Sequence, residues 1–137
     1  MQDKIEAIIK KDLQEKNTAI GNDIVFLPDF KHTWNGPFRD KVYSEEEIKY
    51  CEMFDEPVLR YASTWAAKEA VYKAVKQLDN ALMGPRSIEI IRKTPAGEPR
   101  VRLLKHDGKF NISLSITHDG DYVWAAALVK IKGRQNG

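Results

Sequence analysis

The run from Pro57 to Leu78 constrains this chain more than any other stretch. It holds no glycine, and its only proline stands where a helix's first turn tolerates one. Its densest part, Trp65 to Ala74, is rich in alanine and carries a single β-branched residue, so it reads as helix. Trp65, Glu69 and Lys73 fall four apart and line one stripe, with a carboxylate one turn from an ammonium. Ala62, Ala66, Ala70 and Ala74 form a second, narrower stripe. Small residues there predict a helix pressed closely against a neighbour, with an acid and a base at the edge of the contact. On its own, a Glu69–Lys73 pair is most often a solvated ion pair worth about 0.2–0.5 kcal/mol.

The rest of the chain supplies what could pack on that helix. Residues 3–16 have amphipathic spacing, with Ile5, Ile8, Ile9 and Leu13 on one face, and predict a packing helix. Thr18 to Leu27 reads as an apolar strand interrupted by Gly21-Asn22-Asp23. A glycine there marks a bulge or a close backbone approach. Asp23, followed by Ile24, Val25 and Phe26, is a carboxylate in apolar sequence; it is partnered, functional, or the start of an Asx-type turn. Pro28 to Pro37 reads as a loop containing His32. Ser44 and Glu47 have capping-box spacing ahead of a helix to about Phe54, which assigns Glu45, Glu46 and Glu47 to capping, not metal binding. From Ser87 the period changes to two. Ile88–Ile91, Val101–Leu104, Phe110–Ile116 and Tyr122–Ile131 are separated by Pro95-Ala96-Gly97, His106-Asp107-Gly108 and Asp119-Gly120-Asp121. They predict an antiparallel meander. Only residues 133–137 read as a frayed tail. The sum is one α+β domain over residues 1–137, with its core in 18–131.

Composition narrows the function classes. The 22 basic and 20 acidic residues leave a net charge of +2, too balanced to argue for nucleic acid or a membrane surface as partner. One cysteine, Cys51, excludes an internal disulfide, and no Cys/His spacing suits zinc. The longest apolar run, Tyr122 to Val129, is too short to span a bilayer. The first residues, with Asp3 and Glu6, lack the apolar core of a signal peptide. The expected compartment is the cytoplasm.

Three features stand together: Gly21-Asn22-Asp23, Trp65-Ala66-Ala67-Lys68-Glu69-Ala70-Val71-Tyr72-Lys73-Ala74, and Ser115-Ile116-Thr117-His118. This set resembles the 4'-phosphopantetheinyl transferases, and among them the short holo-(acyl-carrier-protein) synthase type. That family carries a G-x-D strand, a W/F-A-x-K-E-A-x-x-K-A helix and a late S-x-[ST]-H. Phe38 to Glu47 also looks like its segment between strand and helix, and Gly97-Glu98-Pro99 resembles its G-x-P turn. The resemblance covers residues 19 to about 131. It implies an antiparallel sheet packed on a long central helix. It also implies transfer of 4'-phosphopantetheine from coenzyme A to a serine of an acyl or peptidyl carrier protein, leaving 3',5'-ADP.

The chemistry of the motif fits. Magnesium takes hard oxygen ligands, commonly one or two carboxylates with water and substrate phosphates, and Asp23 and Glu69 are the candidate pair. Lys73 would meet the same phosphates as a point charge. Glu69, directly or through a water, is the candidate base. The resemblance puts His118 beside the bound nucleotide; the plain reading is a histidine opening the turn that follows. Lys68 reads as a solvated neighbour within the motif. Val25, where the longer transferases place a third acid, points to the short type, and with it to a homotrimer whose active sites are shared between neighbours. The chain departs from the pattern in three places. Pro28 and Asp29 stand where a basic residue is usual, with Lys31, Arg39 and Lys41 as possible substitutes. Thr64 replaces an arginine just before the helix aromatic, and Val75-Lys76-Gln77-Leu78 replaces a glycine-containing run. The altered flanks motivate the alternative of a non-catalytic module that binds a carrier or coenzyme A.

Overall fold

In the computed structural model, residues 2–7, 16–80, 84–93, 97–105 and 108–133 are described. Residues 2–7 are helical, and positions 8–15 of the expected N-terminal helix lie outside the described residues. So do the turn residues Pro95, Ala96, His106 and Asp107 and the tail 134–137.

The first strand, β1 (Thr18–Phe26), is continuous and pairs residue for residue with the last. Neither a bulge nor an Asx turn interrupts it at Asp23. Four helices follow: α1 (Leu27–Thr33), α2 (Gly36–Val42), α3 (Glu45–Glu52) and α4 (Pro57–Leu78). The expected loop over Pro28 to Pro37 is therefore mostly helical. Pro28 and Pro37 each sit in a first turn, where the missing N–H costs nothing. The Asn35 side chain caps α2 by accepting from Phe38 N at 2.8 Å. The capping box of Ser44 and Glu47 is formed, and α4 begins and ends where the sequence places it.

The later strands are β2 (Ile88–Ile91), β3 (Arg100–Leu103), β4 (Phe110–Asp119) and β5 (Tyr122–Ile131). They do not make one meander. β2 and β3 form a separate two-stranded hairpin, while β5 is central in a three-stranded antiparallel sheet of order β1-β5-β4. Period locates the four strands, and the turn at Gly120–Asp121 is formed as expected, but strand partners are long-range, and the chain's first strand takes the edge beside its last.

The sheet lays one face on α4. Ala19, Val25, Val123, Ala125, Ala127 and Val129 are buried against Ala62, Ala66, Ala70 and Ala74, which are all fully enclosed. Gly21 explains how close the two elements come. A Cβ there would overlap the Ala70 carbonyl oxygen and stand 2.7 Å from Ala74 N, so only glycine fits. Across α4, Cys51 is buried with Sγ 3.7 Å from Thr64 Oγ1. The opposite face of β1 and β5 is apolar and open: Ile20 faces Leu128, Ile24 faces Trp124, and Phe26 faces Tyr122, all exposed.

Candidate active site

Close packing of β1 on α4 places three side chains together. Asp23 points inward from β1, in step with Ala19, Gly21 and Val25. Glu69 and Lys73 lie one turn apart on the α4 edge it meets. Lys73 Nζ stands 2.8 Å from Asp23 Oδ1, and it also donates to the Asn22 carbonyl oxygen at 3.2 Å. The ammonium therefore pairs with Asp23 across the two elements rather than with Glu69 along the helix.

Glu69 has no hydrogen-bond or ion-pair partner among the described residues. Its carboxyl is held above the usual range, first by burial and then by the negative charge of Asp23, with Lys73 opposing both. Two carboxylates thus lie beside a single ammonium, which pairs directly with Asp23 and leaves Glu69 without a bonded partner. A small cleft of about 130 Å³ opens beside it, lined by Lys68, Tyr72, Pro85 and Ile88.

Lys68 is not a solvated neighbour. It is 1% exposed, and its Nζ lies 2.8 Å from Glu47 Oε1 while donating to the Pro85 and Ile88 carbonyl oxygens. Glu47 accepts in turn from Ser44 N and Ile90 N, each at 2.8 Å. The cap of α3 is thereby also half of a buried ion pair tying α3, α4 and β2 together. Burial raises the Glu47 carboxyl and lowers the Lys68 ammonium, and their mutual attraction opposes both shifts. Composition could not show this. Only the α-helical offset of one residue between Lys68 and Glu69 puts the two side chains in different directions.

His118 is exposed on β4, opposite Val123. Asp23 pairs with Ala125 and Ala125 with Ile116, so His118 is two strands across and two residues along from Asp23, roughly 12 Å by strand spacing. The structure brings Asp23, Glu69 and Lys73 together and leaves His118 apart. It lines a larger cleft, of about 360 Å³, between the free edge of β4 and the start of α4. Arg60, Arg92, Ser63, Ser115 and Thr117 line it too. The two arginines are residues that sequence reasoning missed; neither belongs to a motif, and their convergence depends on the hairpin folding over α4.

The family model described as the 4'-phosphopantetheinyl transferase superfamily matches residues 19–127. The holo-[acyl-carrier-protein] synthase of Chlorobaculum parvum is 33% identical over 114 residues, covering 81% of this chain and 97% of that protein. The fatty acid synthase subunit alpha of Candida parapsilosis is 32% identical over 126 residues, 85% of this chain but 6% of that much longer protein. A solved Chronobacterium ammoniagenes ACPS-CoA complex superposes with a TM-score of 0.72 at 26% identity, over 85% of this chain and 99% of that one. The β1–α4 contact, the carboxylate pair and the β4 edge all fall within the matched span, and the chain belongs to the 4'-phosphopantetheinyl transferase superfamily, as an enzyme of the holo-[acyl-carrier-protein] synthase class.

Proposed function

We propose that this protein transfers the 4'-phosphopantetheine group of coenzyme A to a serine of an acyl or peptidyl carrier protein, in a magnesium-dependent reaction that releases 3',5'-ADP. The observation that carries this reading is the convergence of Asp23 and Glu69, from separate elements, beside one ammonium that pairs directly with Asp23 alone. Their charges are under-compensated, and two carboxylates at an open edge are the donor set that magnesium takes alongside water and phosphate oxygens. Asp23 and Glu69 would hold the ion, which when bound neutralises the pyrophosphate and polarises the phosphorus under attack.

The chain's own residues do the rest. Lys73, about half exposed on its flexible stem, offers an ammonium to the same phosphates. Glu69, which has no direct hydrogen-bond or ion-pair partner of its own among the described residues, accepts the serine proton directly or through a water. The serine oxygen forms its bond to the β-phosphorus as the bond from that phosphorus to the bridging oxygen breaks. His118 stands in the larger cleft, where the reading places the nucleotide. Lys31 at the end of α1 and Lys41 on α2 are exposed and supply the proposed docking charge for an acidic carrier, while Arg39 is engaged with Asp40 at 3.0 Å. Similarity to a fatty acid synthase subunit favours a carrier of fatty acid synthesis.

The apolar ladder on the open face of β1 and β5 supports a homotrimer. Ile20, Ile24 and Trp124 are each more than half exposed, an apolar patch that a second and third copy would cover. In such an assembly each active site is shared between neighbours. No helix of the described residues is long and apolar enough to cross a membrane, and the proposed compartment is the cytoplasm.

The decisive experiment is the intact mass of an acyl carrier protein incubated with this protein, coenzyme A and magnesium, with a parallel tube containing a chelator. A gain of one phosphopantetheine, lost with the chelator, is expected. No gain across several carriers overturns the reading in favour of a non-catalytic binding module. Light scattering tests the assembly: three times the 15.7 kDa chain mass is expected, and a clean monomer refutes the trimer.

A further inference from the structure

Two side chains of α4 fasten the free edge of β1, and only one of them belongs to the carboxylate site. β1 is an outer strand of its sheet, so its ladder to β5 leaves alternate backbone groups turned away from that partner. Lys73 Nζ donates to the Asn22 carbonyl oxygen at 3.2 Å, and Gln77 Nε2 donates to the Ile20 carbonyl oxygen at 2.8 Å. The spacing allows both. Four helical residues rise about 6 Å and two strand residues about 6.6 Å, so the donors and the carbonyls stay in step. Between the two bonds lies Gly21, whose backbone packs on Ala70 and Ala74. Asp23 follows directly, so the register held here fixes where its carboxylate meets Glu69 and Lys73.

The Gln77 amide is fully committed although the side chain is exposed. Its Nε2 also donates to the Lys73 carbonyl oxygen at 3.2 Å, and its Oε1 accepts from Lys16 Nζ at 2.7 Å. Acceptance at Oε1 turns the two N–H groups toward the strand and the helix. Neither Lys16 nor Gln77 stands in the three shared motifs. Lys16 precedes residue 19, where the family match begins, and Gln77 belongs to the run Val75 to Leu78, which keeps α4 helical. A glycine at position 77 would offer β1 no side chain.

Lys73 and Gln77 differ in charge, and that decides their parts. An ammonium is drawn to phosphate and, in meeting it, gives up the longer bond to Asn22. A neutral amide has no such competitor and stays on Ile20. We propose that Gln77, oriented by Lys16, is a positioning residue for the transfer reaction: it keeps β1 in register, and Asp23 beside Glu69, while Lys73 is engaged with substrate phosphates. The inference rests on the transferase reading.

The test has two arms. In the first, hydrogen exchange of the β1 segment is followed by mass spectrometry in the metal-free, ligand-free protein, with Lys73→Met standing for a lysine that has left the strand. Lys73→Met alone is expected to exchange within about twofold of the parent, and Lys73→Met combined with Gln77→Met about fivefold faster or more, the size of one lost hydrogen bond. Equal rates in the two variants overturn the inference. In the second arm, kcat and KM for coenzyme A are measured on an acyl carrier protein in magnesium, alongside denaturant unfolding. Gln77→Met, and Gln77→Glu, which keeps the acceptor for Lys16 but has no N–H, are expected to lose about fivefold to tenfold in kcat with KM within about twofold of the parent; Lys16→Met loses about twofold. A merely structural brace lowers the unfolding midpoint and leaves kcat of the folded protein at the parent value, which rejects positioning, as does a loss carried wholly by KM. An active parent matched by Gln77→Met sinks this inference alone, whereas a parent that modifies no carrier sinks the transferase reading with it.

Discussion

Two ion pairs on α4, five residues apart, have the same length and opposite characters. Lys68–Glu47 and Lys73–Asp23 both measure 2.8 Å between nitrogen and oxygen. Both side chains of the first are 1% exposed, whereas those of the second are 49% and 16% exposed. Glu47 also accepts two backbone N–H groups, and Lys68 donates to two carbonyl oxygens, so that pair is electrostatically closed. Asp23 shares its ammonium with a site that holds a second carboxylate. Distance therefore does not distinguish a structural pair from a reactive one. Saturation does: a closed pair fixes three elements, and an unsaturated one has affinity left for a substrate.

Removing the open pair should abolish chemistry and spare the fold. Asp23→Ala or Glu69→Ala is expected to lower the carrier-modification rate by about a thousandfold or more, equivalent to about 4 kcal/mol or more of transition-state stabilisation, with an unchanged circular dichroism spectrum. Parent-rate transfer by both variants would remove the metal assignment. Breaking the closed pair should do the reverse. Lys68→Met leaves Glu47 buried without its cation and should cost about 3–5 kcal/mol in denaturant unfolding. A loss below 1 kcal/mol would show that the pair is not closed.

Gly21→Ala tests the contact that creates the open pair. The new Cβ meets backbone on α4, which cannot move aside as a side chain can, so a loss of about 3 kcal/mol is expected, at the upper end for overpacking. An Ala variant with parent stability and activity would mean that β1 tolerates a wider spacing. The smallest expected effect is a gain. Because the folded Glu69 carboxyl is raised, the native state binds its proton more tightly than the unfolded chain. Ionised Glu69 then costs stability at neutral pH, and that cost disappears as pH falls below the unfolded value. Glu69→Gln should raise the denaturant midpoint of the metal-free protein slightly, since solvent screens a half-exposed carboxylate, while eliminating transfer; a lowered midpoint would deny the cost. In Asp23→Asn, the Glu69 carboxyl followed by NMR should titrate at lower pH than in the parent; an unmoved or raised value would deny the coupling.

Much of this was legible in the chain itself. The boundaries of α4, its alanine stripe and the capping box follow from spacing and residue chemistry, whereas the meeting of Asp23 with Glu69 and Lys73 was implied only by the family resemblance. Pro28, Asn35 and Pro37 carried the same first-turn signals as Pro57, and α1 and α2 were missed because two short helices looked like a loop with aromatic content. The burial of Lys68 could not be read, since its partner is 21 positions earlier and the pair exists only when β2 covers both. The division of the strands into two sheets was equally hidden, because periodicity reports which faces alternate and not which strands meet. Arg92 and Arg60 were invisible for the same reason.

Cys51, the lone cysteine between α3 and α4, has one more consequence. Burial pushes its thiol up to about 12, so at neutral pH the native protein offers no appreciable thiolate to an alkylating reagent. Labelling can proceed only when α3 lifts from α4, which makes the residue an internal clock for that opening. A single mass measurement against time would then count how often the Glu47–Lys68 brace lets go in the absence of denaturant, and would do so while the enzyme is turning over.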